Sequence, residues 1–180
     1  MLMDAAKASL LVVDVQENLT PVVAEPRLVL RHCNLLLRAA ERLAVPVTIS
    51  EQYPKGLGPT MGELLALAPD GVVVEKLHFS CAEEPAILSR LQGFARRQVV
   101  VCGAESHVCV LQTCLGLKAQ GFDVFVVADA CSSRKQSNHD LAMNRLTQAG
   151  VSVVSTEMVV FEWLHVAGTP SFKDLIKLVK

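Results

Sequence analysis

Short, almost unbroken apolar runs recur along this chain, with stretches between them whose apolar residues return at helical spacing. Ser9–Val15, Val45–Ile49, Gly71–Val74, Gln98–Cys102, Phe122–Ala128 and Val151–Val154 read as strands, because they are short and rich in β-branched and large apolar residues. Leu28–Leu43, Glu83–Phe94, Val108–Gln120 and Asn138–Gln148 read as helices; in the first, Leu28, Leu35, Leu36 and Leu43 share a face. A strand apolar at nearly every position has no solvent side, so it must be covered on both faces. The expected fold class is therefore α/β: a three-layer α/β/α arrangement around a six-stranded parallel sheet, wound in a Rossmann-like manner. In such sheets ligands gather beyond the carboxyl ends of the strands, near the point where strand order reverses. Residues immediately after strands carry the functional expectation.

The totals narrow the partners. The 180 residues, 51% of them hydrophobic, suit a single domain spanning 1–180 with a sizeable core. A net charge of -1 gives no overall field to attract nucleic acid or an anionic membrane, so a small-molecule substrate is expected. The first apolar run is closed by Asp14, and no segment reaches the roughly 18 apolar residues of a membrane span. Cysteines 33, 81, 102, 109, 114 and 131 form no CxxC pair and lie within apolar runs, which fits thiols in a reducing, cytoplasmic setting. No spacing of Cys and His suggests zinc, and no metal or other cofactor is expected. A nucleotide binder of this architecture needs a glycine cradle after the first strand, where this chain has Asp14-Val15-Gln16-Glu17. Gln52–Thr60, with two prolines and two glycines, reads as a rim or a lid, and amphipathic Ser171–Lys180 as a helix that either docks on its own domain or meets another subunit.

Three reactive side chains fall at strand ends. Asp14 follows the first strand, Lys76 the third, and Cys109 begins the helix after the fourth. A thiol is a weak nucleophile until it loses its proton, and an ammonium, helix amides and a carboxylate able to take that proton activate it. Alone, each has a duller reading: Asp14 as a loop cap, Lys76 as a surface charge, Cys109 as a packing thiol. Asp129 rivals Asp14, and Cys102 and Cys114 rival Cys109. A binding-only protein that keeps the fold without turnover is the competing functional class.

The residues Val12-Val13-Asp14-Val15-Gln16-Glu17, Glu75-Lys76-Leu77-His78-Phe79-Ser80 and Gly103-Ala104-Glu105-Ser106-His107-Val108-Cys109-Val110 resemble the isochorismatase-like cysteine hydrolases, relatives of nicotinamidases and N-carbamoylsarcosine amidohydrolases. Glu51–Gly58 and Asp129–Arg134 extend the resemblance over nearly the whole chain. The resemblance implies strand order 3-2-1-4-5-6, a catalytic set of Asp14, Lys76 and Cys109, and an oxyanion hole of the Glu105 and Cys109 backbone N–H groups behind a cis Ala104–Glu105 bond. It implies cleavage of an amide or carbamoyl C–N bond through an acyl-enzyme, in a homo-oligomer, with Gln16, Tyr53, Phe79, His107 and Val108 around the substrate. Nicotinamidase-type relatives hold a metal through Asp-x-His, but here the stretch is Glu51-Gln52-Tyr53, which implies no metal. Relatives often carry Thr-Asp where this chain has Ser106-His107, so their substrates do not transfer. Cleavage of isochorismate itself belongs to members lacking the nucleophilic cysteine, and Cys109 points instead to a carbonyl substrate.

Overall fold

The computed structural model describes residues 1–179. Its centre is a six-stranded sheet with β1 (Ala8–Val13), β2 (Val47–Gln52), β3 (Val73–Lys76), β4 (Gln98–Ala104), β5 (Asp123–Ser132) and β6 (Ser152–Val154) in the order β3-β2-β1-β4-β5-β6. Every neighbouring pair is parallel. The expected order and strand count are those observed. Every residue of β1, β2 and β4 is buried, whereas edge strands β3 and β6 are partly exposed. Complete burial thus marks β1, β2 and β4, the strands at the middle of the sheet with helices above and below, although β2 is polar toward its end.

Helices α1 (Pro26–Arg42), α4 (Pro85–Gly93), α5 (Leu111–Ala119) and α6 (Gln136–Gln148) correspond to the four expected helices. Two one-turn helices, α2 (Pro54–Leu57) and α3 (Gly62–Leu65), lie in and beyond the turn-rich stretch. Helix α1 begins earlier than its leucine spacing suggests, at a proline suited to the first helical turn, where a missing N–H costs nothing. Two differences bear on the site. The helix expected from Val108 starts instead as a wide π turn, Ser106–Val110, that runs into α5. Strand β5 continues past Ala128 to Ser132, after a register shift between Val101 and Gly103 of β4.

A helix unforeseen in the sequence, α7 (Thr156–Leu164), follows β6 and buries Val159, Val160 and Trp163, with the Ser155 hydroxyl accepting from Met158 N–H as its cap. The last helix, α8 (Pro170–Val179), docks on its own chain: Leu175 is buried, Phe172 meets Phe161 with ring centroids 6.5 Å apart, and Arg42 Nε lies 3.1 Å from Asp174. Lys180, the end of that expected helix, lies outside the described residues. Among the described residues no helix is long and apolar enough to cross a membrane.

The sheet's centre has one point of close backbone approach. Gly103 takes φ 124°, and a Cβ there would stand 2.0 Å from the Val13 carbonyl oxygen. Only glycine lets β4 lie so near β1 at the level where Asp14 leaves the sheet. Two residues on, the Ala104–Glu105 peptide is cis.

Candidate active site

Polar groups converge where the apolar strands end. Asp14 follows β1 with φ 51°, a left-handed conformation that aspartate tolerates better than bulkier residues. Its Oδ1 accepts from Ser50 Oγ at 2.6 Å and its Oδ2 from Lys76 Nζ at 2.8 Å. Lys76 also donates to Gln52 Oε1 at 2.6 Å and lies 3.1 and 3.2 Å from the Phe79 and His78 carbonyl oxygens. Both charged side chains are 0% exposed. Taking two charges out of water costs several kcal/mol per ion, on the order recovered only where each charge is paired and its other bonding capacity filled. Ser50 and Gln52, alternate residues at the end of β2, meet that requirement.

Cys109 sits in the π turn with 5% of its surface exposed. Its thiol lies near enough to the pair that the charges of both Asp14 and Lys76 act on its titration. Burial is the largest influence and pushes the thiol's pKa well up; the Asp14 charge adds to this and Lys76 opposes it. Burial likewise raises Asp14, against the pull of Lys76, Ser50 and Cys109. Burial disfavours the Lys76 charge, yet Asp14 and the nearby thiols outweigh it and the net direction is upward. The arrangement is a buried ion pair near a thiol that holds its proton, with burial making the carboxylate more basic than usual.

The other expected site residues take different places. A cleft of about 470 Å³ reaches Lys76 and is walled by Tyr53, Lys55, Glu75, Leu77 and His78. Tyr53 is half exposed on its wall, whereas Phe79, also half exposed, and Cys109 are not among its walls. Gln16 is fully buried; its amide donates to the Gln52 and Gly58 carbonyls and accepts from Gln52 N–H, so it fastens the 54–60 stretch rather than facing a ligand. Val108 is partly buried against the core, and His107 Nδ1 is bonded to Ser133 Oγ at 2.9 Å. The Glu105 carboxylate accepts from Arg134 N and Nε, each at 3.0 Å, while the Glu105 N–H has no acceptor among the described residues. Asp129 accepts from Thr156 N and Oγ1 at the start of α7, which removes it as a rival to Asp14. Cys102 and Cys114 are wholly buried, and all six cysteines are free.

Sequence reasoning missed Ser50, Gln52 and Arg134. A signal existed for the first two: polar residues two apart at the end of a buried strand need partners. Among the described residues no three His, Cys, Asp or Glu side chains are placed to hold a metal ion, and Glu51 Oε1 instead accepts from Thr60 N and Oγ1 at 2.7 Å each.

The sheet and its strand-end cluster place the protein in the class of α/β proteins built like the cysteine hydrolases. An isochorismatase domain model matches residues 8–158, and the chain belongs to that family. It is 40% identical over 95% of its length, and 83% of the relative's, to a Phytophthora sojae protein described as a secreted isochorismatase effector. It is 37% identical over 93% of its length, and 80% of the relative's, to mouse isochorismatase domain-containing protein 2A. A solved Caenorhabditis elegans structure described as MAR1 ribonuclease superposes with a TM-score of 0.93 at 30% identity, covering 99% of this chain and 92% of the other.

Proposed function

We propose that the protein is a hydrolase that cleaves the C–N bond of a small amide or carbamoyl compound through a covalent acyl-enzyme, with Cys109 as nucleophile. The observation that carries this reading is the buried Asp14–Lys76 ion pair, 2.8 Å apart, at the strand end beside which the Cys109 thiol lies. As the sulfur bonds to the substrate carbonyl carbon, its proton passes to Asp14 and the carbonyl electron pair moves onto oxygen. The Glu105 and Cys109 N–H groups receive that oxyanion. Its collapse breaks the C–N bond, and Asp14 returns the proton to the departing nitrogen. Water, deprotonated by Asp14, then releases the acid and restores the thiol. Lys76 keeps Asp14 ionised at rest and stays charged throughout.

The test is intact-protein mass spectrometry on protein exposed to a panel of small amides and ureas. An adduct equal to the substrate's acyl part is expected on the wild-type chain and not on Cys109→Ala. Turnover that survives Cys109→Ala unchanged refutes the nucleophile. The binding-only alternative draws support from the nearly closed thiol and predicts no adduct with any member of the panel.

The reaction is proposed to need no metal, so dialysis against a chelator leaves turnover unchanged. Free thiols throughout the chain support a reducing, cytoplasmic location, which fractionation checks because one relative is described as secreted. Assembly as a homo-oligomer is supported by the exposed apolar side chains of Leu77 and Tyr53 on the walls of one cleft, and light scattering measures it.

A further inference from the structure

Three consecutive side chains of the segment that carries the nucleophile, residues 105–107, reach across to one short connection. Glu105 accepts from Arg134 N and Nε at 3.0 Å, Ser106 Oγ shares a hydrogen bond with His139 Nδ1 at 2.8 Å, and His107 Nδ1 shares one with Ser133 Oγ at 2.9 Å. The three partner residues, Ser133, Arg134 and His139, lie between the end of β5 and the start of α6 or in its first turn. The connection is itself anchored, since the Ser133 carbonyl accepts from Ala24 N–H at 2.9 Å. None of these groups touches the Asp14–Lys76 pair.

We infer that this connection is a brace for the oxyanion loop and that Arg134 is a positioning residue for the reaction. The inference rests on the hydrolase reading above. Glu105 contributes to the oxyanion site only through its N–H, and a donor is useful there only within about 2.7–3.1 Å of the developing charge. The Glu105 carbonyl is held by the Val108 and Val110 N–H groups, and its side chain, 8% exposed, adds a second tie by holding two Arg134 donors on one oxygen. Replacing Arg134 removes the Nε donor but leaves the backbone one. A carboxylate left with one donor in so closed a place is drawn toward water, and the peptide that carries it is held by its carbonyl bonds alone.

Two chemical probes separate this role from a general structural one. p-Nitrophenyl acetate acylates a thiol through an oxyanion: the sulfur bonds to the carbonyl carbon, the proton goes to Asp14, and collapse expels p-nitrophenolate. Iodoacetamide alkylates the same sulfur by displacing iodide at a saturated carbon, and no oxyanion forms. In Arg134→Ala the p-nitrophenolate burst rate is expected to fall about 10- to 100-fold, while Cys109 alkylation stays within about twofold of wild type. Arg134→Lys, which restores a cationic donor, recovers part of the loss. The side chain of Arg134 is 63% exposed, so both variants fold. A parallel fall in both rates, or no change in either, overturns the brace. A burst that persists in Cys109→Ala overturns the hydrolase reading itself, and the brace with it.

Discussion

The chain holds two buried groups of thiols, and they differ in what surrounds them. Cys33 and Cys102 face each other across α1 and β4 with sulfurs 3.7 Å apart, and the other nearby acceptors are the carbonyl oxygens of Ala130 and Leu11. Cys109 is also buried, but it faces a carboxylate and an ammonium. Both environments hold protons on sulfur: the bond to Cys33 and then burial lift Cys102, and burial and then Asp14 lift Cys109. A raised pKa therefore does not separate a packing thiol from a nucleophile. The separating feature is whether a neighbouring base can take the proton at the moment the sulfur bonds to carbon.

The strongest way to break this contrast is to exchange the two sulfurs' fates. Cys109→Ala is expected to lower turnover of any amide substrate by about 10⁴-fold, whereas Cys102→Ala leaves it within about twofold and costs on the order of 1–2 kcal/mol in urea unfolding. Equal losses of activity would erase the distinction. Asp14→Asn tests the proton acceptor directly. Turnover is expected to fall about 10²- to 10⁴-fold, and stability by about 3–5 kcal/mol because Lys76 is left charged and unpaired in the interior. A variant that loses activity but keeps its full stability would show that the ion pair contributes nothing to the fold.

The chain passes from one thiol environment to the other through Gly103. Gly103→Ala drives a methyl group into the Val13 carbonyl and imposes φ 124° on an alanine, at a cost of about 3 kcal/mol or more in chemical denaturation. A smaller loss would mean that β1 and β4 separate easily, and the site with them.

The gentlest test is pH. A thiol's ordinary value is 9.0, and burial pushes Cys81 up to about 11, with Cys109 and Cys114 also raised. Between pH 9 and 11 the unfolded chain gives up protons that the native chain retains, so stability falls as pH rises through that window. Each such thiol contributes up to about 1.4 kcal/mol per pH unit, read as a falling urea midpoint across the same window. Cys109→Ala is expected to flatten the slope by one thiol's share. A midpoint that does not move would mean these thiols are open to solvent.

The sequence carried the sheet because apolar strands without a polar side admit few architectures, and it singled out Asp14, Lys76 and Cys109 as candidates because strand ends are where such sheets expose chemistry. Resemblance supplied the cis bond before the π turn and the strand order. The supports were harder to read. Ser50 and Gln52 look ordinary until Lys76 arrives from a strand more than twenty residues away. Arg134 and His139 act on residues 105–107 only because β5 lies beside β4, a relation of topology rather than spacing. Helix α7 escaped notice because its apolar residues follow β6 directly, and Ser155, its cap, was the one mark of a new element.

The stretch from 54 to 60, expected as a rim or a lid, is sewn down from several directions. Gln16 holds Gly58, Asn18 holds Gly56 and Leu57, Glu17 holds Pro59, and Glu51 holds Thr60. An aperture fastened in this way has its shape before any visitor comes. The small molecule proposed as substrate would then meet an entrance already formed, with no loop left to order around it.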